Sequence, residues 1–329
     1  MLTLEALQTQ IHSIEDLQAV VRTMKALALV SIRQYEQARI SLTDYNTTVE
    51  LGLQALLHHR RCSEDSTGLL PGADAAQTPG QQQKSVGVIV FGSDHGLCGQ
   101  FNEQVADYAL EQMHRRAIPP DCCRLAAVGA RLIPYLEAAN QPIQQQFALP
   151  SALTGTPRLI QDLLRAIEQW RFPQTTHQQP RVDEPAPMPH PDVDQILLFY
   201  HQSLGATAFQ PVTLQLLPLD LTWLQQLEQR PWQSAALPMV STPWQPLFSA
   251  LIRQYLFVSL YRATVESLAS EHAARLASMQ AAEKNIEERL TDLNGNYRQQ
   301  RQNAITGELL DIVSGFEALK QPRRYKAAR

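Results

Sequence analysis

The chain lacks helix breakers at both ends. None of its 21 prolines precedes Pro71, and none falls between Leu247 and Gln321. A proline inside a helix removes a donor and clashes with the preceding turn, at about 3 kcal/mol, so each run permits one continuous helix. No apolar run approaches the roughly 18 residues that span a bilayer. The acidic start Met1-Leu2-Thr3-Leu4-Glu5 lacks the basic region of a signal peptide, so a cytosolic protein without direct membrane insertion is expected. A formal net charge of -4 argues against a nucleic-acid partner. Four cysteines, Cys62, Cys98, Cys122 and Cys123, show no CxxC spacing and read as free thiols of a reducing compartment. Neither a Gly-Lys dipeptide nor a GxGxxG run occurs, which removes the P-loop and dinucleotide fingerprints.

What is present divides into two helical arms around a proline-punctuated middle. In the C-terminal arm apolar residues recur at Ile286, Leu290, Leu293 and Tyr297, then at Ile305, Leu309, Ile312, Phe316 and Leu319. Such steps of three and four make one apolar stripe that needs a partner helix. The N-terminal arm offers Leu4, Leu7, Ile11, Ile14, Leu17, Val20, Met24 and Leu27. The predicted fold is therefore α/β with a long antiparallel two-helix coiled coil, formed by both arms, and an inserted Rossmann-like α/β domain. At about 1.5 Å per residue the C-terminal helix would reach on the order of 110 Å, a length suited to a spanning or mechanical role. Polar Arg301 and Gln302 and the Asn294-Gly295 pair interrupt the stripe, so the arms either splay there or meet a third partner.

The predicted layout is an N-terminal helix over 1–62, a flexible linker over 63–83 and an α/β domain over 84–218 containing a Pro-rich linker over 173–192. A connection over 219–246, a C-terminal helix over 247–321 and a basic tail over 322–329 complete it. In the middle part, strands are expected at Val86 to Phe91, Leu125 to Val128, Gln195 to His201 and Pro211 to Leu217. Helices are expected from Phe101 to about Arg116, around Ala130 to Ala139 and from Pro157 through Trp170. Alternation of this kind indicates a mostly parallel sheet.

Two spots carry residue types with chemistry. His58, His59 and Cys62 have no fourth ligand at a suitable spacing and read as a solvated helix end. The turn from Gly92 to Gly99 holds Asp94, His95 and Cys98, the types of a nucleophile and a base; the alternatives are a structural turn, a phosphate site or Cys-His catalysis. No catalytic residue, cofactor or metal is assigned.

Ser93-Asp94-His95-Gly96-Leu97-Cys98-Gly99-Gln100-Phe101-Asn102 resembles the SDRGLCGGLN segment of the gamma subunit of F-type ATP synthases. Glu266 to Leu276 resembles the family's ENLASEQAARM, Arg301 to Leu309 its RQASITQEL, and Val313-Ser314-Gly315 its VSG end; Thr23-Met24-Lys25-Ala26 matches more loosely. His95, Gly307 and Phe316 depart from the family's usual arginine, glutamine and alanine, so the chain resembles a divergent, alternative-type bacterial form. The resemblance implies a non-catalytic rotor shaft whose coiled coil enters an α3β3 hexamer of ATP synthase α and β subunits. Its α/β domain would meet the epsilon subunit and the membrane c-ring, as part of a peripheral complex on the cytoplasmic side of a bacterial membrane. It also implies contacts with the α/β hexamer at Met24, Lys25, Arg275, Gln302, Thr306 and Glu308. A static coiled-coil adaptor and an α/β nucleotide-binding enzyme are the alternatives.

Overall fold

The computed structural model describes residues 3–62, 85–171, 193–204, 208–234 and 236–320. The linkers expected over 63–83 and 173–192, and the tail over 322–329, lie outside them, as does the Cys62 side chain. Two units result: residues 28–277, and residues 1–27 with 278–329. Both long helices, α1 (Leu4–Cys62) and α6 (Trp244–Lys320), contribute to both units.

In the larger unit, β1 (Ser85–Phe91) leads to α2 (Phe101–Arg115), then β2 (Cys123–Val128), α3 (Ile133–Ala138), β3 (Ile143–Phe147) and α4 (Thr156–Arg171). A hairpin of β4 (Val193–Ser203) and β5 (Phe209–Leu217) and the helix α5 (Leu221–Gln229) follow. The sheet order is β3-β2-β1-β4-β5, with only β5 antiparallel to its neighbour. β1 is buried at every position, as a central strand covered on both faces requires. Ile89, Phe91, Ala126 and Leu198 pack on one face against α4 and the Leu260 to Ala263 turn of α6. Val88, Val90, Ala127 and Phe199 pack on the other against α2 and α3.

Two elements escaped the sequence reading. β3 reads Ile-Gln-Gln-Gln-Phe, an edge strand with too few apolar residues to register as one. α5 lies within the expected connection; Asp220 caps it by accepting from the Thr222 amide at 2.8 Å, and Leu224 and Leu227 pack against Leu53, Leu56 and Phe248. Helix α6 starts at Trp244, earlier than the expected 247. Pro246 sits in its first turn, where the missing N–H has no intrahelical acceptor anyway. His58 and His59 approach the backbone carbonyls of Arg230 and Pro238 at 3.0 and 2.7 Å, which ties the end of α1 to the segment after α5. Cys98, Cys122 and Cys123 are free and buried.

In the smaller unit the helices pair antiparallel: Val21, Met279 and Ile286 are buried, with Ile14, Met24, Ala282 and Leu290 partly so. The α1 stripe needs correction. Leu17, Val20 and Leu27 are about half exposed or more, at 51, 52 and 63%, while the seam runs through Leu7, Ile11, Ile14, Gln18, Val21 and Lys25. A seam follows helical geometry, so a strict three-four register takes polar Gln18 and Lys25 and leaves nearby leucines outside. On α6 the expected stripe holds to Tyr297 and then fails. Ile305, Leu309, Ile312 and Phe316 are at least half exposed, and of the described side chains from 301 to 316 none is buried. Among the described residues nothing lies near the place of an added Cβ at Gly295, Gly307 or Gly315.

Candidate functional site

The loop between β1 and α2 turns through positive φ at Leu97 and Gly99 and is closed by its own side chains. Asn102 accepts from the Ser93 amide at 2.8 Å and donates to Ser93 Oγ at 2.8 Å. Ser93 Oγ in turn donates to the His95 carbonyl at 3.0 Å. Asp94 reaches outward: Oδ1 accepts from the Ala130 amide at 2.8 Å and Oδ2 from the Leu149 amide at 2.7 Å. One carboxylate thus joins the loops that follow β1, β2 and β3. Gly129 has φ +105°, and a Cβ there would lie 2.8 Å from the Ser93 nitrogen, so the loops approach closely only because this residue has no side chain.

This geometry favours the structural reading of the turn. Cys98 Sγ lies 3.5 Å from Ser93 Oγ, 3.6 Å from the Asn102 amide nitrogen and 3.8 Å from the His95 carbonyl. Those contacts include no imidazole, so the residue types of a nucleophile and base are present without the pairing that catalysis needs.

Arg275 of α6 turns inward. Its Nη2 donates to Glu271 Oε1 at 2.6 Å and to the His95 and Gly96 carbonyls at 3.5 and 3.4 Å. Its Nη1 lies 3.2 Å from His272 Nδ1, and the His272 ring stacks on Tyr35 of α1 at 5.6 Å. The Arg275 side chain is only 12% exposed and that of Glu271 6%. Burial raises the Glu271 pKa, and the adjacent guanidinium opposes that rise. His272 is pushed down to about 4 by burial, with the charges of Arg275 and His95 adding to it.

The other expected contact residues lie in the smaller unit. Met24 is half-buried in the seam. Lys25 Nζ donates to Glu283 Oε2 at 2.7 Å, and Arg22 Nε donates to Glu283 Oε1 at 3.1 Å. Hydrogen bonds from Lys25 first, then Arg22, hold the Glu283 carboxyl below the usual carboxylate range. Gln302, Thr306 and Glu308 are exposed. Gln302 and Thr306 share a face, and the Thr306 hydroxyl donates to the Gln302 carbonyl at 2.8 Å. Glu308, six residues beyond Gln302, points about 240° around the helix from it.

Sequence reasoning missed Glu271 and Glu283. The first stands four residues before Arg275, the spacing of a helical ion pair, and was legible on that ground. The second pairs across the seam and depends on a register that sequence alone did not fix. It also missed His201, which is fully buried and stacks on Phe101 at 4.3 Å and edge-on to Phe209 at 5.0 Å. Among the described residues neither of its ring nitrogens has a hydrogen-bond partner, and burial pushes its pKa down to about 4.

A family model described as ATP synthase matches residues 3–319. The ATP synthase gamma chain of Sulfurovum sp. (strain NBC37-1) is 25% identical, with 97% of this chain and 100% of that one covered. The ATP synthase gamma chain of Cyanothece sp. (strain PCC 7425 / ATCC 29141) is 28% identical over 97 and 100%. Among solved structures, a chain of the Euglena gracilis mitochondrial ATP synthase (OSCP/F1/c-ring, rotational state 3) aligns with a TM-score of 0.57 at 14% identity, covering 99% of each chain. That likeness speaks for the fold, while the family match spans nearly the whole sequence. The chain belongs to the ATP synthase gamma family, whose members are the non-catalytic central rotor stalk of F1.

Proposed function

We propose that this chain turns inside an α3β3 hexamer of ATP synthase α and β subunits, with its α/β domain against the epsilon subunit and the membrane c-ring. The observation that supports this most is the stretch of α6 from 301 to 316. It is a helix with no buried side chain, and it exposes Ile305, Leu309, Leu310, Ile312, Val313 and Phe316. Apolar surface of that extent on a lone helix calls for an enclosing partner. Gln302, Thr306 and Glu308 supply polar contacts on its flanks, and Met24 with Lys25 marks a second contact on α1.

Coupling then works through differential contact. A shaft that presents unlike faces to three chemically equal subunits holds each in a different conformation, and rotation passes those states around the ring. Among the described residues no helix is long and apolar enough to cross a membrane. Attachment therefore runs through the ring, and the complex is peripheral, on the cytoplasmic side of a bacterial membrane. In this layout the linker at 63–83 precedes the α/β domain and the linker at 173–192 lies within its sequence.

Co-purification tests the assignment. Tagged chain expressed in its own cells should bring down α and β subunits in fixed proportion with ATPase activity. A stoichiometric complex without ATPase subunits would replace it with a static adaptor.

A further inference from the structure

Torque delivered to the sheet has to cross into α6 somewhere within residues 28–277; beside the β1–α2 loop the interface is apolar, and farther along it the Ser270 hydroxyl donates to the His201 carbonyl at 3.2 Å. Cys98, Phe101, Phe209 and Ala274 pack together without directional bonds. Contacts of this kind resist separation, yet they allow one surface to slide on the other because the hydrophobic effect has no preferred direction. Charge-assisted hydrogen bonds from a planar guanidinium do have a direction.

We propose that Arg275 is a positioning residue that makes this interface stiff, carrying load from the strand ends to α6 through the loop that starts at Ser93. The path is continuous in hydrogen bonds. Asp94 holds the amides of Ala130 and Leu149, which follow β2 and β3. The next two residues, His95 and Gly96, present their carbonyls to Arg275 Nη2. That same nitrogen is fixed on its other side by Glu271, one turn earlier on α6. His272, between them, stacks on Tyr35 and so ties the site to α1 as well. The loop has little freedom to absorb strain, because Ser93 and Asn102 close it on itself. Arg275 is also an expected contact of a catalytic subunit; within its own chain its donors reach Glu271 and the His95 and Gly96 carbonyls.

This inference rests on the rotor reading, and the two can fail separately. The test uses the assembled complex with its membrane ring, carrying a probe on the exposed side of α2. It measures the width of the probe's resting angular fluctuation and the ions pumped per ATP hydrolysed, in wild type and in Arg275→Ala, Arg275→Lys, Glu271→Gln and Asp94→Asn. Losing the clamp leaves the apolar contact and the Ser270 hydroxyl bond to the His201 carbonyl as the links, so the variance of the angle should rise. Arg275→Ala, Glu271→Gln and Asp94→Asn should then all widen the distribution and lower the pumping ratio while ATP hydrolysis persists. Arg275→Lys, which keeps the charge without the fork, should fall between and stands in should the alanine variant not assemble. Wild-type variance and pumping in Arg275→Lys and Glu271→Gln would overturn the inference. So would a defect confined to the Arg275 variants, because Glu271 and Asp94 act inside the chain and a lost subunit contact would not involve them. Absence of rotation in the wild-type complex would instead remove the rotor reading.

Discussion

Acidification should loosen the α/β domain through His201, and the size of the effect follows from its surroundings. The ring is fully buried between Phe101 and Phe209 with both nitrogens unpaired among the described residues, so it folds as the neutral form. A pKa held at about 4, against an ordinary 6.5, makes charging it in place cost about 3 kcal/mol. Because the folded pKa is the lower one, the unfolded chain binds the extra proton between about pH 6.5 and 4. Stability is therefore full above that window, falls as pH drops through it and levels off below it. Denaturant unfolding followed by tryptophan fluorescence at a series of pH values, in wild type and His201→Phe, measures this. The variant keeps a flat aromatic in the stack and loses the titration, so its slope across the window should be shallower by that amount. It should also match or exceed wild-type stability at neutral pH, since two unpaired buried nitrogens disappear. Equal slopes, or a His201 proton titration centred near 6.5 by NMR, would refute the reasoning.

Other expectations are checked more directly. Gly129→Ala should destabilise the domain by about 2 kcal/mol or more in the same unfolding assay, because the site has φ +105° and no room beside the Ser93 backbone. Replacing Leu309, Ile312 and Phe316 together by serine should leave unfolding of the isolated chain within about 0.5 kcal/mol per site, since all three are exposed, yet weaken co-purification with α and β subunits. The triple alanine replacement of Gln302, Thr306 and Glu308 should lower coupled ATP turnover more than assembly. Each exposed polar contact is worth only about 0.5–1.5 kcal/mol, so single changes there should have small effects.

The parts of the fold that were legible in the sequence are those with strong local causes. Proline-free runs and apolar periodicity placed both long helices to within a few residues, and continuous apolar runs placed β1, β2, β4 and β5. β3 was hidden because its three glutamines give no apolar signal, and its place on the sheet comes from β2 alone. The seam on α1 was mistaken at Leu17, Val20 and Leu27, where local hydrophobicity and helical register disagree and register prevails. For the candidate site, residue types were readable while directions were not. Asp94 and Arg275 stood out in the sequence, but that both turn inward depends on loops brought together from distant parts of the chain.

The glycines at 295, 307 and 315 give the far part of α6 a distinct character. Each weakens a helix by about 1 kcal/mol relative to alanine, and none is needed for close packing among the described residues, as nothing there lies near their Cβ positions. Between 301 and 316 no described side chain is buried, so this stretch leans largely on its own hydrogen bonds, and short unsupported helices are marginal in water. Such a rod is compliant in bending and twist. Glycine tolerates local bending and twisting that alanine resists, so an enclosing partner would stiffen this stretch.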